Sequence, residues 1–130
     1  MWADVYKAGE SFFQIMKQNE ESLKFLTYDS CFQFTCEDNS FIVKAVGKKV
    51  VEIKEGQHSN GLYDLILISD EITFLDLFKG KISPANLLYH GKIRIPAQKA
   101  KHSQLTALFQ AMRKNQEDLY IKDWKNIPSN

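Results

Sequence analysis

The chain has 130 residues, 44% of them apolar and 25% charged, with a net charge of +1. That is enough for one domain with a true hydrophobic core, well away from the composition of disordered chains. A charge so near zero gives no overall field for holding nucleic acid, and no apolar run approaches the roughly eighteen residues of a membrane span.

The opening, Met1 to Phe13, lacks the basic region, apolar run and small-residue cleavage site of a signal peptide. The final Ile127 to Asn130 matches no organelle-retention signal, so a cytoplasmic location is expected. Val5, Ala8, Phe12, Ile15 and Met16 recur at helical spacing, with Asp4, Lys7, Glu10, Gln14 and Lys17 filling much of the opposite face. This predicts an amphipathic helix of about fifteen residues. Glu20 to Leu26 adds a short helical piece, and Asp29 with Ser30 ends the helical region.

From Phe32 the period falls to two. Phe32, Phe34 and Cys36 alternate with Gln33 and Thr35, as a half-buried strand should. Glu37 to Ser40 is turn material, and Phe41 to Val46 reads as a second strand. Gly47, Lys48 and Lys49 supply a tight turn into a third strand, in which Val51 and Ile53 alternate with Glu52 and Lys54. Three strands on short turns predict an antiparallel meander. Cys31 and Cys36, five residues apart along an extended segment, point to opposite faces, which argues against a disulfide or a shared metal.

Glu55 to Gly61 is a polar loop, and Leu62 to Ile68, apolar on both faces except at Asp64, predicts a central strand. Ser69 or Asp70 can cap the following helix, which Gly80 closes. Ser83 and Pro84 open another helical turn through His90. Alternation returns at Gly91 to Ala97, with Ile93 and Ile95 set against Lys92 and Arg94. Leu105, Leu108, Phe109 and Met112 mark a last helix, and Leu119, Tyr120, Ile121 and Trp124 indicate that the tail packs back on the body. Strands are largely segregated from helices. The class is α+β, one sheet with helices covering one face.

The segment from Leu62 to Met112 resembles the lipid-binding domain of the sterol carrier protein type 2 (SCP2) family. The resemblance rests on Asp64, on Ser69 to Lys81 ending in Gly80-Lys81, on Ser83-Pro84, on Leu87-Leu88, and on Gly91-Lys92-Ile93-Arg94-Ile95. Pro96 and Ala97 depart from the Gly and polar residue usual after that last strand. The resemblance implies a five-stranded mixed sheet with helices on one face, enclosing an apolar tunnel between them. It also implies carriage of fatty acids, acyl-CoAs, sterols or polyprenyl-like lipids, with loose specificity, no chemistry of its own and no cofactor. Some members are accessory domains of larger enzymes, so a closed-core module docking on a partner enzyme is the alternative.

Such a tunnel needs apolar side chains beyond those a packed core uses, with polar groups only at its mouth. The helices offer Phe74, Leu77, Phe78, Leu87, Leu88, Leu105, Leu108, Phe109 and Met112 as wall residues; the strands offer Phe34, Val43, Val51, Ile66 and Ile93. Periodicity alone reads the same set as plain core. Catalytic and metal readings find little: His58, His90 and His102 stand at no ligand spacing, and no nucleophile or phosphate-loop motif is present. The basic cluster Lys79, Lys81, Lys92, Arg94, Lys99 and Lys101 is either a solvated face balanced by Asp70, Glu71 and Asp76 or a contact for an anionic group or membrane surface. The expected partner is a long apolar small molecule, with transient membrane or partner-enzyme contact and no nucleic acid.

Overall fold

A computed structural model describes residues 1–57, 65–96 and 101–121. Helix α1 (Trp2–Met16) buries Val5, Gly9, Phe12, Phe13 and Met16. This face is rotated from the predicted one: Ala8 is half-buried and Ile15 is 40% exposed. The rotation centres on Gly9, where a Cβ would lie 2.6 Å from Phe41 Cζ, so the bare backbone is what lets the helix settle on that ring. Helix α2 (Glu20–Leu23) is capped by Asn19, whose Oδ1 accepts from the Ser22 amide at 3.2 Å.

Strands β1 (Ser30–Cys36), β2 (Asn39–Val46) and β3 (Lys49–Glu55) form the expected antiparallel meander. The first hairpin turns in two residues, since Cys36 already pairs with Asn39. At the second, Gly47 and Lys48 both take positive φ (59° and 60°), which matches the twist of the flanking strands. Cys31 and Cys36 lie on opposite faces of β1, both buried, with no disulfide between them.

Strand β4 (Leu65–Ile68) runs parallel to β1, giving a mixed sheet in the order β3-β2-β1-β4. Four strands, not five, are therefore present among the described residues. The expected fifth is reduced to one antiparallel bridge, Ile68 with Arg94, so β4 ends the sheet instead of running through its centre. The reason is local. The next hydrogen-bonded pair would join residues 66 and 96, and Pro96 has no amide hydrogen to give. In the other direction Asp70 already caps helix α3 (Glu71–Phe78), and Ser69 Oγ donates to the Lys92 carbonyl.

Asp70 Oδ1 accepts from the Thr73 amide at 2.7 Å, which settles the capping choice between Ser69 and Asp70. Ser83 caps helix α4 (Pro84–Tyr89) in the same manner. Both helices end in the same device. Gly80 and Gly91 adopt positive φ, and the amides of Lys81 and Lys92 reach back to the carbonyls of Asp76 and Leu87. The two Gly-Lys pairs are thus Schellman caps, each setting a cation beside the negative end of a helix. Helix α5 (His102–Gln116) runs into a π-helical turn, Glu117–Ile121.

Helix residues close over the sheet face carrying Phe32, Phe34, Phe41 and Val43 to make one core. Its α1–α3 half is aromatic. Phe34 stacks on Phe41 at 4.9 Å, Phe74 on Phe78 at 6.0 Å, and Phe12 and Phe13 meet this group edge-on or tilted. Where α5 lies against α2 and α4 the helices contribute mostly aliphatic side chains, Leu23, Leu87, Leu105, Leu108 and Met112.

Candidate ligand site

Of the predicted wall residues, Phe34, Val43, Phe74, Leu77, Phe78, Leu87, Ile93, Leu105, Leu108 and Met112 are buried in this single core. Phe34, Phe74 and Phe78 belong to the ring stack, where rings already occupy the space between α1, α3 and the sheet. Three residues fall outside. A bulge between Lys44 and Ala45 pairs Val43 with Ile53 and Ala45 with Val50, so Val50 turns inward and Val51 becomes the extra residue, 51% exposed. Ile66 pairs with Gln33 and is half-buried, whereas Leu65 and Leu67 take the core face. Leu88 is 41% exposed on the outer side of α4.

Phe109 is in neither group. It is half-buried, packs against the core, and also lines an open cleft of about 400 Å³. The cleft floor is apolar, made by Phe25, Pro84, Ala85 and Phe109, and Arg113, Lys114 and Glu117 stand around it. A second groove of about 440 Å³ shares Phe25 and Gln110 with the first and continues along α5 past Thr106 to His102. Both are open to solvent and not an enclosed tunnel. Sequence reasoning missed Phe25 and Gln110, since a short polar-flanked helix and an exposed glutamine carry no pattern that marks a cleft.

Polar side chains fix the far end of α5. Asn115 and Gln116 are fully buried. Asn115 Nδ2 donates to the Phe12 carbonyl, and Gln116 Nε2 to those of Leu77 and Ile82. Asn19 Nδ2 reaches Asn115 Oδ1 and Asp118 Oδ2, the Ser22 hydroxyl donates to the Ala111 carbonyl, and Tyr120 OH donates to the Phe78 carbonyl at 3.0 Å. Leu119 packs on the core, so the tail folds back as expected as far as it is described; Trp124 lies outside the described residues.

The cations at the cleft are paired along the helix, Arg113 with Glu117 at 3.4 Å and Lys114 with Asp118 at 3.2 Å. The hydrogen bond and charge of Asp118 hold the Lys114 ammonium above the usual lysine range. His90 is exposed, with its ring edge-on to Tyr89, and His102 is exposed at the start of α5. His58 and Asp64 lie outside the described residues. Among the described residues no cluster of His, Cys, Asp and Glu has the makings of a metal site.

No protein-family model and no curated protein sequence matches the chain. Solved structures do match. Sterol carrier protein 2 superposes with a TM-score of 0.67 over 85% of this chain and 92% of its own, at 13% identity. The sterol carrier protein domain 2 of Helicoverpa armigera gives 0.66 over 98% and 93%, at 17% identity. Palmitated SCP2L2 from Aedes aegypti gives 0.54 over 77% and 92%, at 13% identity. The chain has the sterol carrier protein 2 fold.

Proposed function

We propose that this protein binds and transfers long apolar lipids, such as fatty acids or their relatives, and performs no reaction on them. The observation that carries the reading is the position of Phe109, one side on the core and the other in an apolar cleft, within a fold shared with a palmitated protein. In this reading the acyl chain enters beside Phe109 and lodges in the aliphatic half of the core, among Leu87, Ile93, Leu105, Leu108 and Met112. The aromatic half stays closed and serves as the frame.

The energetics are adequate. Each buried methylene contributes about 0.8 kcal/mol, so ten along an acyl chain give roughly 8 kcal/mol before ordering costs. Micromolar affinity then needs no specific polar partner, and loose specificity follows. Two measurements test the reading. Mass spectrometry under native conditions should find co-purified lipid, and a fluorescent acyl probe should saturate near one equivalent. A protein that carries no lipid and leaves the probe unbound up to its solubility limit is a closed-core module instead.

A further inference from the structure

The near-zero net charge conceals a strong internal division. Residues 77–116 contain eight Lys and Arg and no Asp or Glu. The other ninety residues carry nine cations against sixteen acids. One stretch is therefore +8 and the remainder −7. Helix α4 lies in the middle of the basic stretch. Lys79 and Lys81 precede it at the end of α3, and Lys92 and Arg94 follow it. All four are exposed, and none forms an ion pair within the described residues. Asp70, one proposed counter-charge, is committed to capping α3.

Between these cations α4 presents apolar groups outward. Tyr89 is 86% exposed with its ring edge-on to His90, while Leu88 is 41% exposed beside it. The other end of the helix, Ser83 to Ala85, forms one wall of the cleft at Phe109. An exposed Tyr-Leu pair with Lys79 and Lys81 before its helix and Lys92 directly after it suits a bilayer surface with anionic headgroups, whereas Arg94 faces the groove that Glu37, Asp70 and Glu71 also line. The aromatic ring sits at headgroup level, and the lysines meet the negative surface potential. Nucleic acid fits less well, because a duplex backbone gives the outward Leu88 nothing to bury against.

We propose that α4 and the two Gly-Lys caps flanking it form a docking face for anionic membranes, which brings the cleft mouth against the bilayer for lipid exchange. The inference takes the carrier reading as its premise, and the two are tested separately. The intact protein is sedimented with vesicles of phosphatidylcholine alone or mixed with phosphatidylserine. Binding is expected to the mixed vesicles only, with release in high salt. Lys81→Gln with Lys92→Gln should weaken partitioning by roughly tenfold or more, since each cation near the surface contributes independently. Lys48→Gln with Lys49→Gln, on the β2–β3 hairpin, should leave it unchanged. In Tyr89→Trp, added fluorescence that shifts blue on mixed vesicles alone would place this position in the interface.

Equal adhesion to neutral vesicles, or undiminished binding by the Lys81 and Lys92 variant, overturns the proposal. So does a preference for a polyanion such as heparin over mixed vesicles. Acyl-probe titration without vesicles should be the same in every variant. Loss of probe binding by the parent protein with vesicle docking intact would remove the carrier reading and leave the docking face standing.

Discussion

Gly9 shows how much a single atom decides in this core. A Cβ there meets Phe41 Cζ at 2.6 Å, with Phe41 Cε1 and Phe78 Cε2 both at 3.1 Å. Phe41 is fully buried and stacked on Phe34, so its ring has nowhere to retreat. Gly9→Ala should gain about 1 kcal/mol in helix propensity and lose more to overpacking, for a net loss of roughly 1–2 kcal/mol. Thermal denaturation checks it; a stabilised variant would mean that the rings yield. Tyr120 makes the second prediction. Burial holds its phenol above the usual tyrosine value of 10.0, and its hydroxyl donates to the Phe78 carbonyl. A raised folded-state pKa contributes stability that is whole below pH 10 and is lost as pH rises through the folded value. Tyr6 is raised too, first by burial and then by Glu10, so the parent alone is ambiguous. Tyr120→Phe should be less stable at neutral pH yet lose stability less steeply above pH 10.

At the scale of elements, the readable parts were those with their own chemistry. The meander, the start of α4 and the Gly80 end of α3 follow from alternation, Ser-Pro and Gly, and all appear in the structure; Gly91, which reads as the start of a strand, instead closes α4. The errors have physical causes of a different kind. Glycine has no hydrophobicity to signal that it faces a ring, so the sequence places Val5, Phe12 and Met16 correctly on the buried face of α1 but puts Ile15 there in place of Gly9 and Phe13. A bulge shifts parity without changing composition, so Val51 was assigned inward in place of Val50. Pro96 departs from the family pattern, and its missing amide limits the fifth strand to one bridge among the described residues. The division of the core belongs to this scale as well. If the aliphatic half is where ligand lodges, Leu108→Trp should weaken acyl-probe binding about tenfold with a modest loss of stability. Phe74→Trp, pressed into the ring stack, should cost about 1–3 kcal/mol and spare affinity in whatever protein remains folded. Equal stability losses with unchanged affinity would count against a yielding half.

Over the whole molecule, fold class was legible because the order of periods, helical then alternating then mixed, survives without any knowledge of contacts. The site was not, because amphipathic periodicity describes a face that leaves water and says nothing about what fills the space behind it. Leu108 on a stripe looks the same against Met112, against a ring or against an acyl chain. Phe109 is legible as an apolar position on its helix but not as part of a cleft, and Phe25 is not legible at all, since the cleft arises where α4 and α5 meet the turn after α2 and only the assembled structure brings these residues together.

Phe109 standing between cleft and core has a consequence for time as well as affinity. If ligand enters beside Phe109, as proposed, the seated ring stands in its way, and entry happens only during the fraction of time that the ring swings aside. Apparent affinity is reduced by that fraction, and mutations that loosen the ring should tighten binding without adding a contact. The rate of uptake should then rise with lipid concentration only until it reaches the rate of opening, and level off there. Stopped-flow mixing with an acyl probe would show that plateau, and Phe109→Ala should lift it. A rate that climbs in proportion to lipid without limit would mean that the entrance already stands open.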